Sequence, residues 1–411
     1  MTDQWRTNFR YLWGGHFLSV LSAMVIAPML PFYMNQLGAD DPASVLMWSG
    51  LALAASPVTA ALTAPLWGKL GDGSSRKWMV IRALLGSAFV LAGMGLVQTP
   101  FQLFIMRLLQ GALGGVVDAV GAFAASEARP QEQGHVRGKL EGALAAGSML
   151  GPLLGGFALA TLGFRPLFLL LGALLGLWTL LCLLGLKEAR REKTRSAVPR
   201  RMTGDLIQLC RERRVFVFLM AGVLANVGMY GLLTVLPVYV GQHAEPSSHS
   251  AAWVGVLQAV NWASVWFASS WWGKRNDRLP VSRNYILASG LCGVAILCQA
   301  AAPALEWLIP LRVMQGLASS ALLQSVFLIV TRSSPPDQLG SRLGFARSIL
   351  FTGQIAGPIA VGFMGSLLSP PVIFALNGTI IMAGGLFVWL FAEPKNRLAS
   401  VNLQQNEGKI G

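Results

Sequence analysis

The chain has 411 residues, 54% of them apolar and only 12% charged, less than half the charged share of about 25% found in soluble domains. Its net charge of +14 does not point to nucleic acid, because the basic residues follow a membrane topology. Four cysteines (Cys182, Cys210, Cys292, Cys298) lie in or beside apolar runs without ligand spacing, so neither a disulfide framework nor a metal centre is expected.

Uncharged runs such as Leu167–Leu186 and Leu376–Phe391 approach the roughly 20 residues that cross a hydrocarbon core as a helix. Twelve spans are expected, at 9–34, 45–67, 78–98, 101–126, 137–161, 164–187, 214–240, 251–272, 283–302, 305–331, 341–368 and 371–392. The first residues have no short apolar core with a small-residue cleavage site, so the first span is read as a retained helix. One long connection, polar and basic, separates six spans from six. The expected organisation is a bundle at 1–187, a cytoplasmic linker at 188–213, a bundle at 214–392 and a cytoplasmic tail at 393–411. Apart from Arg107, Arg165 and Arg312, the Lys and Arg residues fall on the side shared by both ends of the chain. The positive-inside bias then places both termini in the cytoplasm of a protein of the inner membrane. Lipid, not nucleic acid, is the expected partner of this basic face.

The segment Gly68-Lys-Leu-Gly-Asp72-Gly-Ser-Ser-Arg76-Lys77 follows the second span. Its glycines suit a tight turn, and its acid suits a helix start. The fourth span carries Arg107 and Gln110-Gly111, then Gly114 and Asp118 on the same helical face, with Arg107 and Asp118 about 16 Å apart along it. An arginine in a bilayer is costly and should face the bundle interior. Either it lines a cavity, or it holds a close helix contact by bonding backbone carbonyls. Asp118 has two readings as well. A carboxylate removed from water binds a proton more readily, which suits proton coupling or substrate contact; alternatively it is satisfied by polar neighbours near the mouth. Span five reads Gly147-Ser-Met-Leu-Gly151-Pro152-Leu-Leu-Gly155-Gly156, where small residues permit close packing and Pro152 permits a kink. His16, Asn226, Asn261 and Asn377 lie within spans and serve either substrate or interhelical hydrogen bonds.

The second half repeats the first. Leu30-Pro31-Phe32-Tyr33 returns as Leu236-Pro237-Val238-Tyr239, and Gly68-Lys69 with Asp72 as Gly273-Lys274 with Asp277, followed by Arg278. Arg107 and Gln110-Gly111 return as Arg312 and Gln315-Gly316; Gly151-Pro152 and Gly156 return as Gly357-Pro358 and Gly362. The offset is 205 or 206 residues throughout. The expected fold is an all-α membrane protein of twelve transmembrane helices in two pseudo-symmetric six-helix bundles, with a site where they meet.

The 68–77 segment resembles the GxLaDrxGrk signature of the major facilitator superfamily, departing from it at Gly73 and Ser75. Arg107 to Gly111 is similar to its RxxqG element, and the span-five run resembles the GPxxGG element of its antiporters. Pro28–Gly38, Met47–Gly50, Pro65–Asp72 and Arg107–Gly115 further resemble the drug:proton antiporter subfamily, within it the MdtG-like multidrug exporters. The resemblance implies conformational gating by Gly68, Asp72, Arg76, Lys77, Asp277 and Arg278. In the outward-open state it implies Glu127 as partner of Arg76. It also implies a hinge at Gly147, Gly151, Pro152, Gly155 and Gly156.

The expected function is proton-coupled efflux of a small organic molecule, a drug or a self-made metabolite such as a siderophore, by a monomer. Asp118, Arg107, Arg312, Gln110, Asn226 and Asn261 are its candidate cavity or coupling residues. Without a Walker loop or metal cluster, neither ATP drive, a cofactor nor an enzymatic site is expected. With no acid in the first span and two intramembrane arginines, the field favours neutral or anionic cargo. A proton-coupled nutrient importer and a membrane receptor without transport are the competing classes.

Overall fold

A backbone inside hydrocarbon must satisfy its own N–H and C=O groups, and this one does so as α-helix. The computed structural model describes residues 3–73, 75–128, 132–188, 211–245, 249–335 and 338–392. Most of the expected linker, the tail and the side chain of Asp72 lie outside the described residues. The helices of the first half are α1 (Asp3–Gln36), α2 (Pro42–Gly73), α3 (Arg76–Leu96), α4 (Pro100–Leu113), α5 (Val116–Glu127), α6 (Gln133–Leu162) and α7 (Phe164–Gly185). Those of the second are α8 (Arg213–His243), α9 (Ser250–Arg278), α10 (Val281–Ala300), α11 (Leu308–Ser333), α12 (Leu339–Met364) and α13 (Pro370–Phe391). Helices α4 and α5 make one broken span, so the described helices form twelve spans in two bundles of six.

Packing repeats with the sequence. In the first bundle α1 packs on α6, α2 on α4 and α3 on α7; in the second α8 packs on α12, α9 on α11 and α10 on α13. Even single hydrogen bonds recur: Trp67 Nε1 donates to the Ala112 carbonyl at 2.7 Å, and Trp272 Nε1 to the Leu317 carbonyl at 2.7 Å. The bundles meet through α6 on α9 and α2 on α12. Ten of the spans are long and apolar enough to cross a bilayer. Those that fall short, α9 and α12, pack on the opposite bundle, where polar side chains face protein and cavity instead of lipid.

Two sequence expectations change. The 68–77 segment is not a loop: α2 runs on through Asp72 to Gly73, and Ser75 is the N-cap of α3, its side chain accepting from Trp78 N. Asp277 and Arg278 likewise close α9. A helix with an apolar seam on a neighbour continues past the membrane until a residue with capping chemistry stops it. The fourth span is also not one helix. It breaks at Gly114 and Gly115, the latter left-handed at φ 85°, so Arg107 and Asp118 do not share a continuous helical face. Arg82 of α3 fills the break, donating to the Leu113 carbonyl at 3.0 Å and the Gly114 carbonyl at 3.1 Å. Its guanidinium also stacks 3.6 Å above the Trp67 ring. A helix end exposes carbonyls that need donors, and a fixed cation supplies two. The matching second-half positions, Ser319, Ser320 and Leu287, lie in unbroken helices.

Candidate functional site

Both ends of the described chain lie on one face of the molecule, here the terminal face; the opposite is the distal face. At the distal face the bundles touch through glycine. A Cβ on Gly156 of α6 would stand 2.5 Å from the Ala251 carbonyl of α9, and one on Gly255 of α9 would stand 2.4 Å from the Pro152 carbonyl. The same contact recurs across the pseudo-twofold: Gly362 of α12 meets Leu46 and Met47 of α2, and Gly50 of α2 meets the Pro358 carbonyl. The rest of the span-five motif is internal packing. Gly147, Gly151 and Gly155 receive α1 at Leu21, Met24 and Val25. Only residues without a side chain let two helix backbones come this near.

Beneath this seal lies a cavity of about 610 Å³ between the bundles. Its wall includes Arg107, Gln110, Asn226, Asn261 and Arg312, all expected from the sequence, with Gln315, Gln258, Tyr230, Trp262 and Gln354 in addition. Gln315 was legible as the repeat of Gln110; the others carry no motif. No carboxylate is among these described lining residues. Arg107 is 6% exposed and Arg312 2%. Arg107 donates from Nε to the Ala52 carbonyl of α2 at 3.0 Å and from Nη1 to Gln110 Oε1, so it ties α4 to α2 while standing in the cavity wall. Asn226 Nδ2 donates to the Leu350 carbonyl at 3.0 Å, tying α8 to α12. Asn377 bonds back to the Ile373 carbonyl of its own helix, and His16 is buried with neither ring nitrogen bonded; neither lines the cavity.

Asp118 is not the desolvated acid that an unbroken fourth span would make it. Its side chain is 82% exposed near the start of α5, outside the cavity lining, and its Oδ1 lies 3.9 Å from Arg347 Nη1 of α12. The break at Gly115 sets it at the cleft between the bundles, on the terminal side. The other expected pair is absent in this conformation. Glu127 is half-buried at the end of α5, while the carboxylate at the start of α3 is Glu188. Its Oε1 accepts from Arg76 N at 2.9 Å, its Oε2 accepts from Lys77 N at 3.2 Å, and Ser75 Oγ donates to it. Lys77 Nζ donates to the Leu183 carbonyl at 2.8 Å. Partial burial raises the Glu188 pKa, but hydrogen bonds from Ser75, Arg76 and Lys77 and the Arg76 charge outweigh it, and the net direction is down. The α3 N-terminus supplies the unbonded N–H groups that attract this anion. In the second half Asp277 pairs with Arg332 at 3.7 Å, and Arg342, 1% exposed, pairs with Glu212 at 3.1 Å.

Two related six-span bundles around one shared cavity, its largely apolar wall set with a few charged and amide groups and sealed at one face, define a multi-pass membrane transporter of small molecules. Residues 12–261 and 246–409 match the Major Facilitator Superfamily, and the chain belongs to it. It is 36% identical over 393 residues to the staphyloferrin B transporter of Staphylococcus aureus, covering 93% of this chain and 92% of that one. It is 26% identical to the multidrug resistance protein MdtG of Proteus mirabilis, covering 96% and 98%. In structure it resembles the nucleoside transporter NupG, with a TM-score of 0.80 at 14% identity over 96% of this chain and 100% of that one; this likeness is one of fold. These relatives are transporters, not enzymes.

Proposed function

We propose that the protein is a proton-coupled secondary exporter, working by alternating access, of an anionic or neutral organic molecule such as a siderophore or an acidic drug. The observation that carries this reading is the cavity wall, which holds two buried guanidinium groups and several amides but no carboxylate among the described lining residues. Such a wall attracts negative cargo and repels cations. The names of the relatives, a siderophore transporter and a multidrug resistance protein, support export and both cargo classes. The molecule is read as a monomer of the inner membrane with both termini cytoplasmic, its bundles at 1–187 and 214–392. The distal face is then external, and this conformation is sealed to the outside by Gly156 and Gly362.

Asp118 is assigned to coupling through the gate and not through the cavity. Protonation removes the charge that faces Arg347, so a proton entering the site weakens the tie between α5 and α12. The segments at Gly68–Lys77 and at Asp277 and Arg278 move with that gate, and Glu127 takes up Arg76 in the opposite, outward-open state.

Proton flux in everted vesicles with an acid interior tests the reading, using a citrate-type siderophore, an acidic drug and a lipophilic cation. Collapse of the gradient by an anion, lost in Asp118→Asn, is the expected result. Collapse by the cation alone would remove the charge argument and keep the antiporter. Solute movement only in the opposite direction would make the protein an importer.

A further inference from the structure

We infer that Arg312 anchors a carboxylate of the transported molecule beside a hydrogen-bond donor held by Asn261, whereas its repeat counterpart Arg107 is a brace of the protein itself. This rests on the export reading above and names the chemistry of its cargo, an organic acid bearing a hydroxyl or amide N–H near the carboxylate.

The two arginines hold equivalent places, each followed by glutamine at the third position and glycine at the fourth. Each donates from Nη1 to that glutamine, Arg107 to Gln110 and Arg312 to Gln315 at 3.1 Å. There the likeness ends. Arg107 Nε is bonded to the Ala52 carbonyl, whereas Arg312 Nε and Nη2 are both buried without a hydrogen-bond partner. These two nitrogens form one edge of the planar guanidinium, the pair of parallel donors that a carboxylate accepts side by side.

The edge is held in place before any ligand arrives. Gln315 Oε1, which receives Arg312 Nη1, also accepts from Gln299 Nε2 at 3.0 Å, and Gln299 is fully buried. A donor pair fixed in this way loses little freedom on binding. A buried cation without a counter-ion and with one edge unbonded destabilises the resting protein, and the described lining residues include no acid to pair with it. The acid that fits comes with the cargo.

Asn261 supplies the complementary group. It lines the same cavity, and its Oδ1 is buried with no partner. Its backbone carbonyl lies against Gly316, one turn along α11 from Arg312. A fork of donors next to a free acceptor fits a carboxylate with a neighbouring donor, and citrate carries that pattern through its hydroxyl.

The test uses the purified full chain in nanodiscs, with citrate, tricarballylate (the same triacid without the hydroxyl) and tetraphenylphosphonium as probes. Calorimetry gives affinity, and thermal unfolding without ligand gives stability. Arg312→Gln is expected to weaken citrate binding about tenfold or more while leaving the ligand-free Tm unchanged or higher. Arg107→Gln is expected to lower the ligand-free Tm and, because it removes only a longer-range charge, to weaken citrate binding clearly less than Arg312→Gln does. Wild type is expected to prefer citrate to tricarballylate, and Asn261→Leu to abolish that preference. Unchanged citrate affinity in Arg312→Gln overturns the assignment, as does a wild type that binds neither triacid, or a ligand-free Tm that falls in Arg312→Gln as far as in Arg107→Gln. Vesicle flux separates this from the export reading. Citrate binding through Arg312 with no probe moved sinks export and keeps the anchor; cation export without triacid binding does the reverse.

Discussion

The α-carbon of Gly156 faces the Ala251 carbonyl so closely that a Cβ would stand 2.5 Å from that oxygen. With its counterpart at Gly362 against Leu46 and Met47, this contact brings α6 onto α9 and α12 onto α2 at the distal face. A side chain here forces those helices apart, because the atom it meets is backbone. Gly156→Leu is therefore expected to disfavour the distally sealed state and to slow transport roughly tenfold, while the protein still folds. Spin labels at Gln36 and His243, placed on opposite bundles near that face, should show a longer mean distance in the variant. An unchanged distance with normal flux would remove Gly156 from the gate.

The repeat made the architecture readable. Each of the pairs Arg107 and Arg312, Gly111 and Gly316, and Gly156 and Gly362 holds the same place in its bundle, since the pseudo-twofold imposes the same crossing on both. Gly111 meets the Ser56 carbonyl as Gly316 meets the Asn261 carbonyl. What the repeat hid was departure from symmetry. Gly114-Gly115 in an apolar run reads as packing, and nothing local separates it from the unbroken Ser319-Ser320. Arg82 reads as a topology charge, yet it fills the helix break. The periodicity that places Asp118 on the face of Arg107 is interrupted by the break. Glu188 is distant in sequence from the helix start it caps, so only the packing of α7 on α3 reveals it.

Arg82 and Gly115 should behave as one unit. Arg82→Met leaves the Leu113 and Gly114 carbonyls without their donor in a half-buried site, for an expected loss of about 2 kcal/mol. Gly115→Ala places a Cβ on a left-handed residue, for about 1–2 kcal/mol. If the arginine exists to hold the break, the double variant loses less than the two losses combined. Unfolding followed by tryptophan fluorescence in detergent checks this; strict additivity would mean that the two act separately.

Glu188 gives a pH dependence of known sign. The net effect of its surroundings holds its folded pKa below the unfolded value. Its contribution is thus fully present above the ordinary carboxylate range, near 4.3 for glutamate, and is lost as pH falls through the folded pKa. Glu188→Gln should lower Tm at neutral pH and flatten the acid side of the Tm profile relative to wild type. Parallel profiles for the two proteins would show that the α3 cap does not need the charge.

The pair Asp118 and Arg347 separates a gate from a structural tie. Both side chains are well exposed, and at 3.9 Å the contact is long, so its static worth is at most about 1 kcal/mol. Asp118→Asn and Arg347→Gln should accordingly leave Tm almost unchanged. If the pair joins α5 to α12 in only one of two alternating states, even a small energy changes how often the terminal face closes, and flux falls in both variants. Exchanging the residues, Asp118→Arg with Arg347→Asp, restores the attraction and should recover the distance between labels at Ser126 and Gly340. Proton coupling needs more than attraction, since it depends on which bundle carries the acid and from where a proton reaches it. The exchange is therefore expected to restore closure while leaving proton flux impaired. Full recovery of coupling would assign the pair to electrostatic latching alone, and no recovery of the distance would show that the two residues do not meet during transport.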